Sequence, residues 1–170
     1  INTSADALLT VINDILDFSK IEARKLEFEI VDFDLQEVIE DTLEIQASRA
    51  HARGLELAGA LVPGTPALLR GDPGRIRQVL SNLVSNAIRY TPDGGTITLG
   101  WHVDEEGRGA FSVADTGIGI AEQDLPRIFE RFYRGDRSRS RAGSGLGLSL
   151  ARAIATAHDG SITVSSSPGK

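Results

Sequence analysis

Apolar residues recur at helical spacing near the start of the chain, at Ala5, Leu8, Leu9, Ile12, Ile15 and Leu16, with Ser19 on the same stripe. Asn2, Asp6, Asn13, Asp14 and Asp17 fall between them, so the pattern predicts an amphipathic helix from Ile1 to about Leu26. Its near-heptad regularity suits a partner helix, the plain alternative being a helix lying on its own domain. The period then changes. Leu26, Phe28 and Ile30 alternate with Glu27 and Glu29, which predicts a short strand ending near Phe33. Asp34 is placed to cap a second helix, and Gly54 stops it just after Arg53. A strand is expected over Leu55–Leu61, followed by a Pro/Gly loop through Gly71.

Asp72-Pro73 supplies an N-cap and a first-turn proline for a third helix. Its buried face is Ile76, Val79, Leu80, Leu83, Val84, Ala87 and Ile88. Strands are expected over Thr96–Val103 and Arg108–Asp115 around a polar turn, and a short helix over Leu125–Arg131. Arg134 to Ser144 has no apolar anchor and reads as a mobile loop. A helix over Leu146–His158 and a last strand over Ser161–Ser165 complete the series. The order predicts an α+β two-layer sandwich: a mixed, mostly antiparallel sheet on about three helices, preceded by one long amphipathic helix.

Composition narrows this little. The 170 residues are 41% hydrophobic and 25% charged, in the range of one globular domain with an appended helix. A net charge of −6 argues against nucleic acid as the main partner. Cysteine is absent and the three histidines are far apart, so neither a disulfide framework nor a zinc cluster is expected. No apolar run is long enough to span a bilayer, and no signal-peptide pattern opens the chain. The absence of methionine and the start at Ile1 lead to the expectation of a piece cut from a longer protein.

Three stretches carry candidate chemistry. In Asp115-Thr116-Gly117-Ile118-Gly119-Ile120 a carboxylate ends an apolar strand and two glycines follow. Such a turn lets a ligand approach the backbone, and the Asp can accept a hydrogen bond from an exocyclic amine such as that of adenine. The plain alternative, which the stretch taken alone favours, is a tight strand-to-helix turn with the Asp as a local cap. Asn82 and Asn86 lie four apart on one face of an otherwise apolar helix. An Asn carbonyl is a hard oxygen ligand suited to Mg²⁺, and the alternative is a pair of loop-capping amides. Gly143-Ser144-Gly145-Leu146-Gly147 opens a helix, where free N–H groups bind anions. The spacing matches neither the P-loop nor the dinucleotide fingerprint. Arg134, Arg137, Arg139 and Arg141 could meet phosphates or form a solvated loop, and Arg134, beside Phe132-Tyr133, is the strongest candidate.

Together these stretches resemble the ATP-binding domain of two-component sensor histidine kinases, within the GHKL ATPase/kinase superfamily. Asn82 to Pro92 resembles the family's N box, Asp115 to Ile120 its first glycine box, Phe129 to Arg134 its F box and Gly143 to Leu148 its second glycine box. Asn2 to Leu26 resembles the second helix of the dimerisation and phosphotransfer domain, in wording closest to hybrid kinases. The resemblance implies a partial dimerisation domain over residues 1–26 and an ATP-binding domain over 27–170.

It further implies that Asp115 binds the adenine amine, that Tyr90 packs on the purine, and that Asn86 coordinates Mg²⁺ with Asn82 beside it. Arg134 would approach the γ-phosphate, and Gly143, Gly145, Leu146 and Gly147 would wrap the phosphates. Arg89, Gly117, Gly119 and Phe132 belong to the same implied site. The implied partners are ATP, a histidine-bearing dimerisation helix, a response-regulator receiver domain and a second copy in the intact protein. The implied location is cytoplasmic, with any membrane anchor upstream. Departures are Arg89 in place of the usual Lys, Asp159 after His158, and an end before the family's final strand, which leaves one sheet edge expected to be incomplete. His51, His102 and His158 do not lie in a phospho-acceptor context. The alternatives are a superfamily ATPase driving a conformational cycle and a catalytically silent nucleotide-binding or dimerisation module. Asn82 stands where the ATPases of the superfamily carry a general-base Glu, and an amide cannot take a proton.

Overall fold

The computed structural model of the chain describes residues 3–23, 25–62, 64–104, 106–135 and 144–167. Helix α1 (Thr3–Glu22) is followed by β1 (Val31–Asp34), α2 (Leu35–His51), β2 (Glu56–Leu61), β3 (Leu68–Gly71) and α3 (Pro73–Tyr90). Then come β4 (Thr96–Val103), β5 (Gly109–Asp115), a 3₁₀ turn (Leu125–Arg127) and α4 (Gly147–Ala157). Strands β2, β4 and β5 form one sheet, β2 parallel and β5 antiparallel to the central β4. Strands β1 and β3 form a separate antiparallel pair.

The core lies between the three-stranded sheet and α2 and α3. Leu35, Val38 and Ile39 of α2, Leu80 and Val84 of α3, and Ile97 and Leu99 of β4 are at most 2% exposed. Each is an apolar residue at the period its element demands, which is why the two layers close on one another. On the third helix Leu80, Val84, Ala87 and Ile88 are buried, whereas Ile76, Val79 and Leu83 are only half-buried. The local caps form as the sequence predicts: the Gln36 N–H donates to Asp34 Oδ1 at 2.8 Å and the Arg75 N–H to Asp72 Oδ1 at 2.9 Å.

Four segments differ from the sequence expectation. The strand expected from Leu26 begins only at Val31, because its ladder partner β3 covers only Val31–Asp34. β3 itself falls within the expected loop before Gly71. Over Leu125–Arg131 only the 3₁₀ turn Leu125–Arg127 forms, and isolated turns follow it. The expected strand over Ser161–Ser165 does not form. A strand needs a ladder for its amides; no ladder is formed there among the described residues, and just beyond it the Ile120 N–H donates to Ser166 Oγ at 2.9 Å. The expected mobile loop falls mostly on residues 136–143, outside the described residues.

The second half of α1 lies against the rest. Arg75 and Gln78 at the start of α3 both donate to Asp17 Oδ2, and the Arg131 guanidinium stacks 3.8 Å above the Phe18 ring. Leu8, Leu9, Ile12, Ile15 and Leu16 remain exposed along α1. Among the described residues no helix is long and apolar enough to cross a membrane.

Candidate functional site

The last turns of α3, the loop after β5, the turn at Tyr133–Gly135 and the start of α4 line one open cleft. It runs on past the end of α2, along β5 and over residues 158–166 to a total of about 2600 Å³. Asn82 and Asn86 bring successive turns of α3 to it. Asn82 faces the first residue of α4, since a Cβ on Gly147 would lie 3.3 Å from its Oδ1. Its Nδ2 is buried with no hydrogen-bond partner among the described residues. A buried amide donor without an acceptor is costly, so this orphan fits a site completed by an anionic or carbonyl-bearing ligand.

Asp115 ends β5 at the exposed lip of the cleft. Its Oδ1 accepts the Gly117 N–H at 2.8 Å, which fixes the carboxylate. Gly117 is buried beneath the cleft, and any side chain there would force its neighbours to shift. A Cβ would lie 2.2 Å from Asp115 Oδ1 and 3.1 Å from the Tyr90 carbonyl oxygen. That same carbonyl accepts the Ile118 N–H at 3.2 Å, so the glycine loop is tied to the last turn of α3. Arg89 and Tyr90 sit half-buried in that turn and line the cleft.

The opposite wall joins two motifs distant in sequence. The Phe132 N–H donates to the Gly145 carbonyl at 3.1 Å, and Phe132 takes a positive φ of 59°. Gly145 has φ +74°, and a Cβ there would lie 2.9 Å from the Phe132 backbone. The Tyr133 hydroxyl donates to Asp124 Oδ1 at 2.7 Å, and the Arg127 guanidinium lies 4.3 Å above the Tyr133 ring. The bond to Asp124, with burial second, pushes the Tyr133 phenol above its ordinary pKa. Asp124 was not among the residues singled out by sequence. Nothing in its local pattern shows that a turn nine residues later returns a tyrosine to it.

Leu146, 2% exposed, anchors the start of α4. Its own side chain makes no cap bond, the Leu146 N–H donates to Ser144 Oγ at 3.3 Å, and the Leu150 N–H donates to the Leu146 carbonyl at 2.9 Å. The amides of the first turn, from Gly147, therefore form an anion-attracting end beside Asn82.

The cleft thus gathers Asn82, Asn86, Arg89, Tyr90, Asp115, Gly119, Arg134, Gly145 and Gly147. Gly117 and Leu146 support it from beneath. The Phe132 side chain, 63% exposed, is not part of the lining and contributes through its backbone. Gly143, Arg137, Arg139 and Arg141 lie outside the described residues. Among the described residues no cluster of three His, Cys, Asp or Glu could hold a metal ion. Asn86 offers the cleft an amide oxygen, a hard donor of the type that suits Mg²⁺ with its retained waters.

The histidine kinase-, DNA gyrase B-, and HSP90-like ATPase family matches residues 71–170. The chain is 46% identical over 175 residues to the sensor protein GacS of Pseudomonas syringae pv. syringae, with 100% of this chain and 19% of that protein covered. It is 38% identical over 144 residues to the signal transduction histidine-protein kinase BarA of Escherichia coli (strain K12), with 81% and 15% covered. The chain thus spans less than a fifth of the length of GacS and of BarA. Full-length ShkA in complex with AMPPNP superposes with a TM-score of 0.79 at 35% identity, covering 91% of this chain and 32% of that one. The Acinetobacter baumannii histidine kinase AdeS gives 0.78 at 28% identity, covering 96% and 74%.

Proposed function

Because the chain belongs to the histidine kinase-, DNA gyrase B-, and HSP90-like ATPase family, we propose that it is the ATP-binding catalytic core of a sensor histidine kinase. In this reading residues 1–26 are the second helix of a dimerisation and phosphotransfer domain, and residues 27–170 hold the nucleotide. The observation that carries the proposal is the pairing across one cleft of a fixed acceptor, Asp115, with an uncapped helix start at Gly147. The first suits the exocyclic amine of adenine. The second suits a polyphosphate.

The roles follow from position. Asp115 accepts from the adenine amine, with Gly117 and Gly119 letting the base reach the loop, and Tyr90 packs on the purine. Asn86 supplies an oxygen to Mg²⁺, and the ion would offset phosphate charge when bound. Asn82 holds its Nδ2 donor toward the phosphate region, and Arg89 keeps the cleft wall cationic. Gly145, Leu146 and Gly147 present backbone N–H groups to the phosphates, with Gly143 assigned to the same run. Phe132 braces Gly145, and Arg134 brings a guanidinium toward the terminal phosphate. Phosphoryl transfer demands positioning and charge neutralisation more than covalent chemistry from the protein, and these groups supply both.

The acceptor is a histidine outside residues 1–170, on the helix that pairs with α1. The exposed Leu8, Leu9, Ile12, Ile15 and Leu16 support α1 as half of a helical hairpin and the intact protein as a dimer. The phosphate then passes to an aspartate on a response-regulator receiver domain. Asn82, an amide where water activation needs a base, weighs against an ATPase cycle.

Calorimetric titration of Mg·ADP and Mg·ATP into the chain tests the reading, with D115A and N86A alongside. Micromolar binding that D115A abolishes supports it. No binding by folded protein overturns it.

A further inference from the structure

We infer that Arg53, which lies outside every nucleotide-binding motif, is the positioning residue for the adenine end of the cleft. The inference rests on the nucleotide reading above. It starts from the last four carbonyls of α3, which have no intrahelical partners of their own. The Ala87 carbonyl accepts from Thr91, from its N–H at 2.9 Å and its hydroxyl at 2.7 Å. The Tyr90 carbonyl accepts the Ile118 N–H of the glycine loop. The other two, Ile88 and Arg89, receive Arg53 Nη1, the second at 3.5 Å. Nη2 of the same guanidinium donates to the Thr91 carbonyl at 2.9 Å and to Asp93 Oδ1 at 2.8 Å. One side chain from the end of α2 therefore caps the end of α3.

Its own backbone is fixed. The Leu55 N–H donates to the Ala50 carbonyl at 3.0 Å across the turn, and both residues are buried in the core. Gly54, with φ +60°, makes the turn that carries Arg53 off the end of α2. A planar fork reaches several carbonyls at once, and the positive charge complements the negative end of the α3 dipole. The last turn of α3 carries Tyr90 and Asn86 one turn earlier, and its Tyr90 carbonyl holds the loop that begins at Asp115. Arg53, which itself lines the cleft, thus sets the spacing between Tyr90 and Asp115 through the end of α3.

The test combines hydrogen exchange over residues 116–120 in the ligand-free chain with titrations of Mg·ADP and Mg·GDP into wild type, R53A and R53K. R53A is expected to exchange faster in that segment, to lose about tenfold in ADP affinity and to narrow its preference for ADP over GDP. R53K, whose single ammonium cannot span the carbonyls, recovers only part. Unchanged exchange and unchanged ADP preference in R53A overturn the inference, even if its melting temperature falls. Should R53A fail to fold, R53K and R53Q are read by the same two criteria. If wild type binds no ADP, the nucleotide reading fails, while the exchange result still decides whether Arg53 holds the loop.

Discussion

Asp17 of α1 and Arg75 of α3 form an ion pair of 2.8 Å, with side chains only 16% and 21% exposed. Gln78 adds a second donor to the same carboxylate oxygen at 2.7 Å. The pair fastens α1 to the N-terminal turn of the helix that carries Asn82 and Asn86. A carboxylate at a helix N-terminus also meets the favourable end of its dipole.

Asp17 therefore has a readable effect on stability. Burial acts to raise its pKa, but hydrogen bonds from Arg75 and Gln78, with the charges of Arg75 and Lys20, hold it below the ordinary 3.8. A carboxylate depressed in the folded state stabilises above its unfolded pKa, and that contribution is lost as pH falls through the folded value. D17N should cost about 1–2 kcal/mol at pH 7, between the exposed and buried limits for ion pairs. In urea titrations the difference from wild type should shrink once the pH drops below 3.8. An undiminished gap at low pH would show that the pair's charge is not what holds α1.

Asp14 predicts the opposite sign. Burial first, and the neighbouring Asp17 second, raise its pKa above 3.8. Its ionised form weakens the fold at neutral pH, and protonation on falling through the raised value relieves this. D14N should raise the urea midpoint at pH 7, the advantage over wild type fading as the solution is acidified. A lower midpoint at pH 7 would contradict this.

The two glycine stretches should differ sharply in tolerance. A Cβ on Gly117 meets Asp115 Oδ1 at 2.2 Å and the Tyr90 backbone carbonyl at 3.1 Å, whereas one on Gly147 meets the Asn82 side chain at 3.3 Å. The first collision displaces the proposed adenine acceptor and the second needs only a small side-chain shift. G117A should lose at least about thirtyfold in Mg·ADP affinity and G147A only a few fold, which calorimetry resolves. Equal losses would mean that Asp115 does not set the base position.

What was legible in the sequence was local. The caps at Asp34 and Asp72 each bond an amide two or three residues away, so a short window contains the whole interaction. β3 was not legible because its partner lies far upstream, with Val31 opposite Gly71, and its four residues show no apolar alternation. The helix expected to Arg131 is a 3₁₀ turn ending at Arg127. The turns after it lead to Phe132, whose φ of 59° brings its N–H to Gly145, a partner the local pattern does not show. The site residues could be named from their motifs, but their support could not. The grip of Arg53 on the end of α3, and the reach of Tyr133 to Asp124, depend on how separate elements meet.

Asn86 gives the last prediction. Among the described residues no cluster of three His, Cys, Asp or Glu could hold a metal, and the proposed site assigns Mg²⁺ ligation to the Asn86 amide oxygen. Replacing it should act on the ion and not on the base. Wild type should bind ADP more tightly with Mg²⁺ than in EDTA. N86A should narrow that ratio by about tenfold while its EDTA affinity stays within about twofold of wild type. D115N should do the reverse, losing roughly ten- to a hundredfold in both conditions, because an acceptor toward the adenine amine becomes a donor. The contrast between the two variants separates the metal end of the cleft from the adenine end. If both lost affinity equally with and without Mg²⁺, Asn86 would be a structural amide and the ion would have to be held elsewhere.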